Sequence, residues 1–177
     1  MPRVEDLLMI ELKPISIFDK EMEECINLNV TEEQRNFVAP NSYSLAEAFE
    51  VNKKYTEKGK GDRAAPYAVY KDGKMVGFLM IGYLHPGNDK DIENYCDEPF
   101  YYIWRLFVDI AYQGKGIGKE ILRLAMEKVK SKYLGNANWC FSSYVPENTA
   151  SKRTFASYGF IENGRIDDGE TICKIGI

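Results

Sequence analysis

The segment Gln113-Gly114-Lys115-Gly116-Ile117-Gly118 constrains this chain more than any other. Its three alternating glycines follow an aromatic and β-branched run, Phe100 to Asp109. They precede a stretch with Ile117, Ile121, Leu124, Ala125 and Val129 at helical spacing. The run reads as a central strand and the stretch as an amphipathic helix. Glycine lets the backbone take unusual dihedrals and approach a ligand closely. The first amides of a helix lack intrahelical acceptors and carry partial positive charge. Such a junction suits a phosphate or diphosphate, and Lys115 and Lys119 add charge nearby.

Several ligands use this geometry. A nucleotide P-loop needs two glycines five apart, then Lys and a hydroxyl; here Lys119 is followed by Glu120. A dinucleotide fold needs G-x-G-x-x-G early in a parallel βαβ chain. Here the third glycine comes one residue too soon, and the segment lies past mid-chain, behind a hairpin. Coenzyme A is the third option, with its diphosphate on the loop and its pantetheine arm beside the preceding strand. A glycine-rich turn without a ligand is the fourth.

The surroundings bear on the choice. Tyr67 to Tyr70 reads as a strand, Asp72-Gly73 as a hairpin turn, and Met75 to Tyr83 as the returning strand. His85 to Glu98 is a turn-rich insert carrying Asp89, Asp91, Glu93, Asp97 and Glu98. Asn138 to Val145 is a further strand, and Pro146 and Asn148 open a helix that stops at Gly159. The tail, Phe160 to Ile177, forms a hairpin around Asp167-Asp168-Gly169. The first third reads as mostly helical. Asp19 to Leu28 is one helix, Thr31 to Gln34 is a capping box, and Ser44 to Glu47 is a second one opening a helix through Lys54. Thr56 to Asp62 reads as a loop. The order is that of a mixed α/β layer architecture, and 177 residues make one domain.

Counts remove whole function classes. The net charge of −4 speaks against a dedicated nucleic-acid binder and tolerates a cationic substrate. A single histidine, His85, leaves no Ser-His-Asp or Cys-His arrangement with its usual motif. Cys25, Cys96, Cys140 and Cys173 are scattered without metal-ligand spacing, so no metal is expected and the thiols read as free in a reducing compartment. Met1 to Asp6 carries acid early and shows no signal peptide. The longest apolar run, Phe78 to Leu84, is too short to span a bilayer. A cytoplasmic protein without a membrane partner is expected.

Two motifs carry a resemblance. Tyr102-Ile103-Trp104-Arg105-Leu106-Phe107-Val108-Asp109 with Tyr112-Gln113-Gly114-Lys115-Gly116-Ile117-Gly118 resembles the strand and acetyl-CoA loop of the GNAT superfamily of N-acetyltransferases. The loop pattern, Gln/Arg-x-x-Gly-x-Gly/Ala, is met by Gln113, Gly116 and Gly118. Asn148 to Phe160 resembles the family's late helix ending in Gly-Phe. The likeness covers about Tyr67 to Ile177, and the first third, through Val30-Thr31-Glu32-Glu33-Gln34 and Phe37-Val38-Ala39 to Ser44-Leu45-Ala46-Glu47-Ala48, is more loosely similar to bacterial spermine/spermidine acetyltransferases.

The resemblance implies a mostly antiparallel α/β (α+β) sheet flanked by helices on both faces. It divides the chain into a helical acceptor-side region (1–65) and an acetyl-CoA-binding core (66–177). The backbone of Leu106, Phe107 and Val108 would pair with the pantetheine amides and present a donor to the thioester oxygen. Gln113, Gly114, Lys115, Gly116, Ile117, Gly118 and Lys119 would hold the diphosphate. Asn148 would touch the cofactor's arm and also cap its own helix; Ser151 and Arg153 are further contacts. The family's leaving-group acid is a tyrosine four residues before the helix-ending glycine, but this chain has Phe155 there, which leaves Tyr158 as a displaced candidate. Its usual strand glutamate is replaced at or near Trp104, so a base must come from the acidic insert or from a held water. The implied acceptor is a small amine, first of all a polyamine, with an amino acid, an aminoglycoside or a protein N-terminus as alternatives. A homodimer is implied too. A non-catalytic acyl-CoA sensor is the competing reading.

Overall fold

Seven strands form one sheet in a computed structural model that describes residues 9–15 and 19–177. The strands are β1 (Ile10–Pro14), β2 (Arg63–Lys71), β3 (Lys74–Leu84), β4 (Phe100–Val108), β5 (Trp139–Tyr144), β6 (Ile161–Asp167) and β7 (Glu170–Gly176). Their spatial order is β1-β2-β3-β4-β5-β7-β6. Every neighbouring pair is antiparallel except β4 and β5, which are parallel. A parallel pair needs a crossover, and helix α4 (Ile117–Lys130) supplies it. The remaining helices are α1 (Glu21–Ile26), α2 (Asn41–Lys58), α3 (Asp89–Asn94) and α5 (Thr149–Tyr158). The N-terminal stretch Met1 to Asp6 lies outside the described residues.

The two hairpin turns are where the Asp-Gly pairs place them. Asp72 and Gly73 have φ of 50° and 74°, and Asp168 and Gly169 have 45° and 83°. Two successive positive φ values give the turn whose twist matches the flanking strands. β3 is buried along nearly its whole length, as a strand covered on both faces must be. On one face, Ile117, Ile121, Leu122, Ala125, Met126 and Val129 of α4 pack on Val76, Leu79 and Ile103. On the other, Cys25, Leu45 and Ala48 of α1 and α2 pack on Phe78, Met80 and Phe107.

The first third departs from the expected helical texture. It contributes an edge strand, β1, whose five residues pair with Tyr67 to Lys71. The reciprocal bonds of the first capping box form: Thr31 N donates to Gln34 Oε1 (3.2 Å) and Gln34 N to Thr31 Oγ1 (3.3 Å). They open only a 3-10 turn, Glu33–Asn36. The second box is not a cap. Helix α2 starts three residues earlier, after an extended Pro40, and runs through Thr56 to Lys58, ending at a left-handed Gly59. Ser44 and Glu47 lie inside it, because Arg105 of β4 engages both side chains.

Candidate active site

The parallel seam between β4 and β5 is short. Tyr101 pairs with Cys140 and Tyr102 with Phe141, and Ser142 Oγ donates to the carbonyl of Ile103 at 3.0 Å. Beyond that the ladder stops. A β-bulge explains part of it: Met80 faces Arg105 while Ile81 faces Ile103, so Trp104 is the extra residue. A bulge bends its strand and disrupts the ladder. It also brings Trp104 and Arg105 to the α1–α2 face together: Trp104 packs on that core, and Arg105 reaches α2. Leu106 and Val108 return to the α4 face.

A cleft of about 520 Å³ lies at this end of β4. Leu106, Phe107 and Val108 form its strand wall. Gln113, Gly114, Gly116, Ile117, Gly118 and Lys119 line its loop side. Asn148, Ser151, Arg153 and Phe155 line the α5 side. Two expected residues are absent from the lining. Lys115 folds back so that Nζ donates to the carbonyl of Ala111 at 2.9 Å. Tyr158 sits at the end of α5, where its hydroxyl accepts from Lys130 Nζ at 3.3 Å. One helical turn beyond Phe155, its hydroxyl is aimed at α4 instead of the cleft.

The loop geometry has identifiable causes. Gly114 and Gly116 both have positive φ, 74° and 79°, which costs any residue with a Cβ. Gly116 is the N-cap of α4, and its carbonyl accepts from the amides of Lys119 and Glu120. Gly118 differs: a Cβ there would sit 3.8 Å from Leu106 Cδ2 and Val108 Cγ2, an ordinary contact. The fold tolerates a side chain at this position, but the cleft would lose that space. These features fit a diphosphate on the α4 N-terminus and an extended arm along β4.

The α5 side combines two roles in one residue. Asn148 Oδ1 accepts from Ser151 N at 3.1 Å and so caps α5. Arg153 is steadied by Thr149, with Nε donating to its carbonyl at 3.2 Å. Phe155 is 5% exposed and stacks on Tyr144 at 6.2 Å between centroids. It offers no proton.

Sequence reasoning missed the wall contributed by the first third. Val30, Gln34, Phe37 and Val38 close the cleft. Asp109 holds that wall: Oδ2 accepts from Asn29 N at 2.8 Å, and Ile110 N donates to the Asn29 carbonyl at 2.8 Å. Gln34 pairs with Gln113 through both amide groups. In the sequence Gln34 reads as a capping residue within the Val30–Gln34 segment, and its pairing with Gln113, 79 positions away, is visible only in the fold. The acidic insert is not at the cleft. It packs on the terminal hairpin, with Glu93 paired to Arg165 and Lys90 to Asp167, and Asp91 accepts from Gly87 N.

Comparison with known proteins agrees with this geometry. Residues 24–160 match the model of the acetyltransferase (GNAT) family. The chain belongs to that family. With membership go the activity and the donor: it is an acyltransferase that uses acetyl-CoA. It is 29% identical over 150 residues to the spermine/spermidine N(1)-acetyltransferase of Bacillus subtilis strain 168, covering 83% of this chain and 86% of the relative. Among solved structures, it resembles the PaiA N-acetyltransferase of Thermoplasma acidophilum in complex with coenzyme A (18% identity, TM-score 0.60, 95% and 99% of the two chains). It also resembles the aminoglycoside acetyltransferase AAC(6')-Ib in complex with coenzyme A (17% identity, TM-score 0.67, 94% of each chain). These last two likenesses speak to the fold. Among the described residues, no helix is long and apolar enough to cross a membrane.

Proposed function

We propose that this acetyltransferase moves the acetyl group of acetyl-CoA onto a primary amine of a small cationic acceptor, a polyamine such as spermidine or spermine. The observation that carries the reading is the cleft where β4 parts from β5, floored by strand backbone and closed by the open N-terminus of α4. The name of the 29% identical relatives supports the polyamine.

In this reading the backbone of Leu106, Phe107 and Val108 pairs with the pantetheine arm. The amides from Gly114 to Gly118 hold the diphosphate, and the Lys119 and Arg153 side chains bring positive charge to the cleft. Asn148 and Ser151 bound the arm from α5. The neutral amine attacks the thioester carbon, a C–N bond forms and the C–S bond breaks. A strand N–H freed by the lost β4–β5 ladder faces the developing oxyanion. An alkylammonium with a pKa near 10 must first lose a proton. The leaving thiol, with a pKa of about 8.5, departs as thiolate without help from Phe155. The same reading includes a cytoplasmic homodimer, which sedimentation of the purified chain checks.

The test is incubation with acetyl-CoA and a panel of spermine, spermidine, short diamines, amino acids and kanamycin, following thiol release. Turnover is expected, fastest with a polyamine. Phe155 motivates the second reading, a sensor: tight coenzyme A binding with no turnover across the panel would establish it instead.

A further inference from the structure

At the point where β4 and β5 part, three polar side chains from three strands touch in sequence. Tyr102 Oη lies 2.6 Å from Ser143 Oγ, and Ser143 Oγ donates to Glu170 Oε2. A hydroxyl has one proton. Ser143 gives its proton to the carboxylate, which only accepts, so Tyr102 must donate to Ser143. The lone pairs of Tyr102 Oη are then its acceptors, with the Tyr95 hydroxyl also within reach of them. All three residues are half-buried, whereas Tyr101, Ile103 and Phe141 around them are buried.

Their level along β4 lies just beyond the reacting end of the donor. A Cβ at Gly118 would sit 3.8 Å from the side chains of Leu106 and Val108, which fixes the height of the diphosphate loop. The arm from diphosphate to sulfur is about a dozen bonds, roughly 14 Å when extended. That is about four residues of strand at ~3.3 Å each. Counted back from Val108, it ends at Trp104, the bulge, with Tyr102 two positions further on and on the α1–α2 side of the sheet.

We infer that Tyr102, Ser143 and Glu170 form the proton-accepting relay of the acetyl transfer. This rests on the proposed N-acetyltransferase reading and supplies the base which that reading lacks. Before the amine attacks, the acceptor's ammonium passes one proton to Tyr102 Oη. The Tyr102 proton moves to Ser143 Oγ, and the Ser143 proton moves to the Glu170 carboxylate. Glu170 ends as a neutral acid and returns the proton to solvent; the thiolate leaves with the C–S electron pair and takes up the remaining nitrogen proton. Burial pushes the Tyr102 phenol up to about 12, opposed by the Ser143 hydrogen bond and reinforced by the Glu170 charge, so it stays protonated and ready to donate at neutral pH. Other titratable groups facing the relay are Cys173 on β7 and Tyr95 beside α3. The Tyr95 hydroxyl donates to Asp167 of β6, and Asp167 is in turn paired with Lys90 of α3.

The test is the pH dependence of kcat/KM, with acetyl-CoA and the best acceptor of the amine panel, for wild type, Tyr102→Phe, Ser143→Ala, Ser143→Thr and Glu170→Gln. At pH 7 the Phe, Ala and Gln variants should lose about 100-fold. The deficit should shrink at least tenfold as the pH approaches ~10, where the amine deprotonates unaided. Ser143→Thr keeps the hydroxyl and should stay within a few-fold of wild type throughout. Losses of equal size at every pH, or profiles unchanged from wild type, overturn the relay while leaving the transferase reading intact. A wild type inactive on every amine overturns that reading, and the relay with it. Calorimetric acetyl-CoA affinity should be unchanged in all four variants.

Discussion

Gln34 and Gln113 bind each other through both ends of their amides. Gln34 Nε2 donates to Gln113 Oε1 at 3.1 Å, and Gln113 Nε2 donates to Gln34 Oε1 at 2.9 Å. Gln113 Nε2 also donates to the Val108 carbonyl at 2.9 Å, and Gln34 Oε1 accepts from Thr31 N. The pair therefore ties the first-third wall, the end of β4 and the glycine loop at one point. Gln34→Ala would leave Gln113 with Val108 alone. It should cost about 1 kcal/mol of stability and raise the KM for acetyl-CoA several-fold with a smaller change in kcat. Denaturant melts and steady-state kinetics measure both.

Gly116 and Gly118 should separate conformation from space. Gly116→Ala forces a Cβ into a left-handed backbone, so about 1–2 kcal/mol of stability should be lost. Gly118→Leu meets no such strain at its Cβ, and it adds bulk beside Leu106 and Val108 on the cleft lining. The expected outcome is a nearly unchanged melting temperature with acetyl-CoA binding reduced at least tenfold by calorimetry. Undiminished binding in Gly118→Leu would place the donor elsewhere.

Phe155→Tyr adds a hydroxyl on the cleft wall at the position where a leaving-group acid would sit. Its ring should keep the stack on Tyr144, so stability should shift by less than about 1 kcal/mol. Turnover should rise several-fold. An unchanged rate would show that thiolate departure is not limiting.

Arg105 and Glu47 hold β4 to α2 at 2.9 Å, with side chains 21% and 25% exposed. Ser44 Oγ also accepts from Arg105 Nε at 3.0 Å. Partial exposure moderates the cost of losing one partner, and Glu47→Ala should destabilise by about 1–2 kcal/mol. Replacing the pair, Glu47→Leu with Arg105→Met, should recover part of that loss. A double-mutant cycle on denaturant midpoints gives the coupling.

The buried thiols set an alkaline limit. Burial pushes both Cys25 and Cys173 up to about 12. An unfolded thiol titrates near 8.5. The folded state keeps its protons across this window while the unfolded state releases them. Stability from these groups is thus complete below about pH 8.5 and falls as pH rises towards 12, by up to ~1.4 kcal/mol per pH unit for each thiol. Denaturant midpoints at pH 8 and 10 should show the fall, and Cys25→Ala should make it shallower, with Cys173 supplying the rest. Under native conditions iodoacetamide should label Cys96 alone, since Cys25, Cys140 and Cys173 are buried.

Local pattern made much of this protein legible from sequence. The Asp-Gly pairs fixed both hairpins, because two consecutive positive φ values suit few other residues. The apolar spacing from Ile117 to Val129 fixed α4, and the alternating glycines placed the loop. What local pattern could not supply was a partner distant in the chain. β1 is only five residues long, and exists as a strand because β2 offers it an edge. Ser44 and Glu47 match a helix cap, yet tertiary packing directs them to Arg105, 61 and 58 positions away. The same holds for Gln34 in the cleft wall and for Tyr158, whose face of α5 was ambiguous until α4 packed against it. The parting of β4 from β5 was likewise beyond reach, since a bulge is a matter of register between two strands and has no signature in either one. Sequence determined the segments, because backbone preference and amphipathic period act within a few residues. Tertiary structure alone decided which side chains meet, because a hydrogen bond depends on distance in space and not on separation along the chain.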